Sequence, residues 1–196
     1  NTLTSLASEN LISNSDLLVD SNSDGVPDGF TYSNATDISL TNGIAKFTAT
    51  GKGGGIEFTL NNILNQKLFC FARVKSDSSL TRIFSGIAYH SGSGEFEFIS
   101  KIYDSAIPTW YPKFDDYRTS DWTPIEVDYV GVINITDFIK KGVADDNGTL
   151  FSRLTNEEIK DQMDLWVQNG FPDHVIAALY PDGVDSAIAL KYNDAD

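Results

Sequence analysis

The sequence predicts an all-β domain, an antiparallel β-sandwich with a short C-terminal helix. Short stretches of alternating apolar and polar residues recur along the first two thirds of the chain, as where Ala45, Phe47 and Ala49 stand between Lys46, Thr48 and Thr50. This period of two is the signature of half-buried strands. Clusters such as Gly51-Lys52-Gly53-Gly54-Gly55 and Ser91-Gly92-Ser93-Gly94 punctuate them, and many short strands between such turns pack as a sandwich. A clear helix start, the capping box Thr155-Asn156-Glu157-Glu158, comes only late in the chain.

Taken in order, residues 1–10 are polar and read as a tether, residues 11–136 as the sandwich, and residues 137–196 as a C-terminal extension. Asn10-Leu11-Ile12-Ser13-Asn14 reads as a first short strand. Asp20-Ser21-Asn22-Ser23-Asp24-Gly25-Val26-Pro27-Asp28 then sets oxygen-bearing side chains on alternate positions before a glycine. Ca²⁺ takes six to eight oxygens, and such a wrapped loop supplies them from Asp20, Asn22, Asp24, Asp28 and the Val26 carbonyl. Position twelve, counted from Asp20, is Thr31 rather than Glu, and no amphipathic helix precedes the loop, so an EF-hand is excluded. The bland alternative is an Asp/Asn/Gly turn held by its own side chains. An ion here would be structural, because nothing nearby resembles a nucleophile or a base.

Ile56, Phe58 and Leu60 continue the alternation. Residues 67–75 are apolar on both faces and predict a central strand. Strands are expected at 83–89, 95–99, 113–118 and 126–135. Residues 103–124 carry prolines around aromatics and read as loops on either side of the strand at 113–118. The late helix should run from about 155 to 168, with Ile159, Met163 and Trp166 on its buried face and Gly170 as its stop. Pro181-Asp182-Gly183 reads as a turn, and the apolar run 187–190 either adds an edge strand or leaves the domain.

With 196 residues, 41% of them hydrophobic, one domain with a full core is expected. No apolar run approaches the length of a membrane span, so no membrane insertion is expected. The first residue is Asn1 rather than Met, as in a processed product or an excised fragment. A net charge of −14 disfavours nucleic acid and anionic membrane surfaces and suits a neutral glycan or a cation. Cys70, in the run Leu68-Phe69-Cys70-Phe71-Ala72, reads as a buried inert thiol. His90 and His174 lie far apart and read as exposed loop histidines. Asp115-Asp116, Asp121 and Glu126 invite a glycosidase reading, but a chain with 28 acidic residues puts carboxylates side by side by chance. The chain is expected not to be an enzyme.

The order of these pieces resembles the carbohydrate-binding-module-like β-sandwich domains of bacteriophage tail and fibre proteins and of secreted glycosidases. The matching pieces are Asn10-Leu11-Ile12, Asp28-Gly29-Phe30, residues 42–51, Phe71-Ala72-Arg73-Val74-Lys75-Ser76 and residues 127–136. The Gly-Asn-Glu-Pro turn of phage members is replaced here by the longer stretch 140–154. The resemblance implies a jelly-roll β-sandwich and a Ca²⁺ bridging the first loop and the last strand, with Asp128 as a further ligand; as a plain strand residue, Asp128 would instead be an outward-facing polar side chain. It also implies a virion (or, if bacterial, extracellular) protein that binds a bacterial surface glycan, other virion proteins as neighbours, and a homotrimer as in many fibres. Sugars stack their C–H faces on exposed rings. Trp110 and Tyr111, bounded by Pro108 and Pro112, lead the candidates, followed by Tyr103, Tyr117, Trp122 and Asp104. The competing readings are a structural adaptor, with those aromatics buried in the core or between subunits, and an accessory module of a secreted glycosidase.

Overall fold

The computed structural model describes residues 2–4, 10–14, 16–181 and 189–191. The strands are β1 (Thr2–Thr4), β2 (Phe30–Ser33), β3 (Ala35–Thr41), β4 (Ile44–Ala49), β5 (Gly54–Phe58), β6 (Leu60–Asn61), β7 (Lys67–Lys75), β8 (Thr81–Ile83), β9 (Ala88–Tyr89), β10 (Phe96–Asp104), β11 (Thr109–Trp110), β12 (Lys113–Asp116) and β13 (Ile125–Asn134). The helices α1 (Ile135–Lys140), α2 (Asn156–Asn169) and α3 (Asp173–Leu179) follow, and then β14 (Ala189–Lys191).

Two five-stranded antiparallel sheets form the sandwich, one in the order β10-β7-β13-β4-β3 and the other β2-β5-β12-β8-β9. The chain switches sheets at nearly every connection after β4, as a jelly roll does. Between the sheets lies one core, to which β7 contributes Leu68, Cys70, Ala72 and Val74 and the facing sheet Ile56, Phe58, Ile83 and Phe114. Burial pushes the Cys70 thiol pKa well up, so it stays protonated and inert.

β7 is central, between β10 and β13, and is apolar on both faces because both are covered. Its Phe69 and Phe71 point away from the sandwich into a second core shared with the helices. Gly131 on β13 is required there: an added Cβ would lie 2.1 Å from Cζ of Phe71. The molecule therefore has three layers, with the helices on the outer face of one sheet only.

The α2 boundaries follow the sequence. Thr155 accepts from the Glu158 amide at 3.3 Å, Glu158 accepts from the Thr155 amide at 2.8 Å, and Gly170 takes φ +107°. Ile159, Met163 and Trp166 are buried as expected, and Trp166 stacks on Phe151 at 5.5 Å. Two further helices were not expected. The β-branched run up to Ile135 leads straight into α1, where the Asn134 side chain accepts from the Thr136 amide at 3.0 Å and Phe138 is buried. A strand over 83–89 is also corrected, because Phe84 and Ser85 take φ +53° and +60° in a 3₁₀ turn that splits it into β8 and β9.

At the ends, Asn10 makes a single bridge to Ile133 where a strand was expected. Thr2–Thr4, within the stretch read as a tether, pairs antiparallel with Ala189–Lys191. The Asp182-Gly183 part of the expected turn lies outside the described residues.

Candidate functional site

The helices leave the outer face of the second sheet uncovered. Strand register lines up Tyr89, Arg82, Asp115, Gly55 and Ser33 directly opposite one another across all five strands. Inner-face neighbours Ile83, Phe114, Ile56 and Tyr32 belong to or pack on the core, which fixes the row as outward-facing by the period of two. At the usual strand spacing the row is about 19 Å long.

Arg82 grips Asp115 with two hydrogen bonds, Nε to Oδ1 at 2.8 Å and Nη2 to Oδ2 at 2.5 Å. That leaves the Asp115 side chain 1% exposed although it stands on an outer face. The bidentate geometry also holds Arg82 still more firmly protonated. Gly55 gives the row a floor without side chains, and no other residue fits there, since a Cβ would lie 1.9 Å from the Phe114 carbonyl oxygen. Lys113 rises from β12 and donates to Ser33 Oγ on β2 at 2.6 Å. Tyr89 is 55% exposed, an open ring at one end of the row.

Tyr117, a candidate from the sequence, borders this face. The Arg82 guanidinium stands 3.8 Å and the Lys52 ammonium 4.2 Å from its ring centroid. Those two cations leave the ring a prop for the face more than a stacking surface.

The other aromatic candidates lie elsewhere. Trp110 is not a free loop ring: β11 pairs with β6, and the indole packs on the core, 4.4 Å from the Tyr103 ring and 6.4 Å from Phe84. Tyr111 next to it is 60% exposed. Asp104 is paired with Lys67 at 2.8 Å and accepts from Asn156 Nδ2 at 3.0 Å, which fastens the sheet to α2. Partial burial pushes its carboxyl pKa up, but the Lys67 and Asn156 hydrogen bonds and the Lys67 charge outweigh that and hold it below the usual range. Trp122 is half-buried, and its indole N–H is buried without a partner among the described residues.

In the Asp20–Asp28 loop the expected ligands are side by side. Asp20 accepts from the Asp24 and Gly25 amides at 3.3 and 3.0 Å, Asp24 from the Val26 amide at 2.8 Å, and Asp28 from the Ser21 amide at 3.1 Å. Gly25 takes φ +82°, the tight turn its position demanded. Among the described residues no group of three His, Cys, Asp or Glu already converges on one point. The donor chemistry fits Ca²⁺, since each Asp20 and Asp24 oxygen accepts one hydrogen bond and keeps a lone pair, and Asp28, whose Oδ1 accepts from both the amide and the hydroxyl of Ser21, keeps Oδ2 without a hydrogen bond among the described residues. Asn22, whose Nδ2 donates to Asp24 Oδ2 at 2.9 Å, would have to turn its own oxygen inward. Asp128, at the bulge in β13, is ion-paired with Arg73 of β7 at 2.7 Å.

The histidines are placed by the backbone around them. His90 is buried, contrary to expectation: its Nε2 lies 3.0 Å from the Val74 carbonyl oxygen and its Nδ1 accepts from the Gly92 amide at 2.9 Å. His174 is exposed, with Nε2 3.1 Å from the Ala144 carbonyl oxygen. Asp115 and Asp116 point to opposite faces, and each is bound to its own arginine, Arg82 and Arg118. They do not form the facing carboxylate pair that glycoside hydrolysis uses.

The sequence reading missed Tyr89, Arg82, Gly55 and Lys113. Tyr89 and Lys113 stood at ordinary positions in expected strands, Arg82 just ahead of one and Gly55 in a glycine-rich turn, and only the pairing of β8 with β9 and β12, and of β12 with β5, gathers them.

No family model and no curated protein sequence matches the chain. Among solved structures, the second N-terminal cellulose-binding domain of Cellulomonas fimi β-1,4-glucanase C is 9% identical, covers 66% of this chain and 97% of its own, and superposes with a TM-score of 0.44. A mutant of a family 29 carbohydrate-binding module is 14% identical over 68% of this chain and 92% of its own, with a TM-score of 0.39. The C-terminal family 6 module of LamC, a marine laminarinase from Zobellia galactanivorans, is 12% identical over 68% of this chain and 100% of its own, with a TM-score of 0.37.

Proposed function

We propose that the chain is a non-catalytic carbohydrate-binding module that holds a glycan across the uncovered sheet face. The observation that carries this is the row Tyr89–Arg82–Asp115–Gly55–Ser33: an open ring, a rigid bidentate ion pair and a floor with no side chain, in register over five strands. An apolar ring face beside fixed polar groups is the combination that recognises a sugar. Tyr89→Ala should weaken retardation of the protein in glycan-containing affinity gels about tenfold or more, with an unchanged circular dichroism spectrum. Tyr111→Ala is the companion variant, because Tyr111 is the most exposed ring of the proline-bounded loop. Loss of binding in that variant alone would move the site to the loop.

In the finer reading the module belongs to a phage tail or fibre and attaches it to a bacterial surface glycan. One open ring and a few hydrogen bonds give millimolar to micromolar affinity, about 4–8 kcal/mol, so attachment would need several copies acting together. A fluorescent multimer should then adsorb to host cell walls where the single domain does not.

A structural Ca²⁺ belongs to the same proposal. Asp20, Asn22, Asp24, Asp28 and the Val26 carbonyl would hold it, and it would tie both ends of the loop ahead of β2 to one point.

A further inference from the structure

We infer that the glycan taken by this face is anionic, its carboxylate or phosphate lying over the Gly55 floor against Lys113; this rests on the carbohydrate-binding reading above. Lys113 belongs to β12 and its hydrogen-bond partner Ser33 to β2, with β5 between them. Its side chain must therefore cross β5, and it does so at the position where Gly55 raises no side chain. The ammonium thus leaves the central strand and ends against Ser33 on the edge strand β2, at the Gly55 end of the row.

The chain carries 28 acidic residues against 14 basic ones, so carboxylate partners for a lysine are plentiful. Lys113 nevertheless has none among the described residues. Glu57 stands directly opposite it in the register, yet the ammonium reaches past to a hydroxyl. Lys52 points at the Tyr117 ring and likewise has no carboxylate partner among the described residues. Arg82 spends Nε and Nη2 on Asp115, and its Nη1 has no hydrogen-bond partner among the described residues. An ammonium has three donors and a guanidinium five. The face consequently offers unused cationic donors from Lys52, Arg82 and Lys113, two of them without an ion-paired carboxylate among the described residues. A neutral sugar does not need that surplus. A uronate or a sugar phosphate supplies the charge and the acceptors together, and charge-assisted hydrogen bonds are about twice as strong as neutral ones.

The test titrates the whole chain in affinity gels with polygalacturonate, alginate and hyaluronan. Each is paired with the same polymer after its carboxyls are reduced to alcohols, and neutral β-glucan and mannan run beside them. At least one acidic polymer should bind about tenfold or more tightly than its reduced form. Lys113→Gln, and to a smaller extent Lys52→Gln, should bring the ratio of acidic-form to reduced-form binding about tenfold closer to one. A polymer bearing phosphodiesters in place of carboxylates separates the two sources of charge, and preference for either upholds the inference. If reduced and neutral polymers bind as well as acidic ones, or Lys113→Gln and Lys52→Gln both leave the preference intact, the inference is wrong; a Tyr89→Ala loss would then still uphold carbohydrate binding. If no polymer of any kind binds, both fall together.

Discussion

Asp115 and Asp116 are neighbours in sequence, both essentially inaccessible, and each is matched by a different arginine. Removing one partner of such a pair strands a buried charge, which costs about 3–5 kcal/mol. Arg82→Met should therefore lower the unfolding free energy by that much, read as a lower urea midpoint, so loss of glycan binding in this variant would say nothing about recognition. Tyr89 and Lys113 are the better probes because neither compensates a buried charge. Asp104 makes a pH prediction. Its carboxyl is held below the usual range, so its contribution is present above about pH 4 and fades as pH falls through the depressed value. Asp104→Asn should melt earlier than the parent at pH 7, and the gap should narrow at pH 3. An equal gap at both pH values would show that the Lys67–Asp104–Asn156 link does not hold α2 to the sheet.

The helices are an integral layer at the scale of elements. Phe69, Phe71, Tyr129 and Ile133 on the sheet meet Phe138, Phe151, Met163 and Trp166 from the C-terminal part. A chain ending at residue 150 would leave only α1 and Val143 on that sheet face, exposing a contiguous apolar surface larger than soluble monomers usually show. It should aggregate or bind a hydrophobic dye strongly; a soluble, equally stable fragment would make the helices a separate appendage. Gly131→Ala tests the same interface from the sheet side, because a methyl group there must displace the Phe71 ring. Overpacking of this kind costs about 1–3 kcal/mol, readable as a lower denaturation midpoint.

For the whole molecule, the net charge of −14 and the Asp20–Asp28 loop make one thermodynamic prediction. A cation bound only by the folded state adds about 2.7 kcal/mol at a hundredfold excess over its dissociation constant. Chelator should lower the melting temperature, added Ca²⁺ should restore it, and Asp24→Ala should abolish the response. A metal-free sample whose melting curve ignores Ca²⁺ would leave the loop as a turn held by its own carboxylates.

By itself, the sequence determined whatever is written in local periodicity and turn chemistry. Alternation gave the strands, Thr155 and Glu158 the start of α2, Gly25 and Gly170 their positive-φ turns, and the doubly apolar stretch 67–75 the central strand. Those features depend on residues a few positions apart, where side-chain spacing and backbone sterics suffice. Only the tertiary structure decided which polar faces look at solvent and which residues meet on them. The row on the open sheet face joins residues from positions 33 to 115 through strand register, and an alternating pattern cannot specify which strands will pair. Trp110 looked available in its proline-bounded loop and was taken by Tyr103 and the core, whereas Tyr89 looked ordinary and was left open. His90 was buried and Asp128 paired with Arg73 for the same reason: exposure and charge partners are set by neighbours distant in sequence.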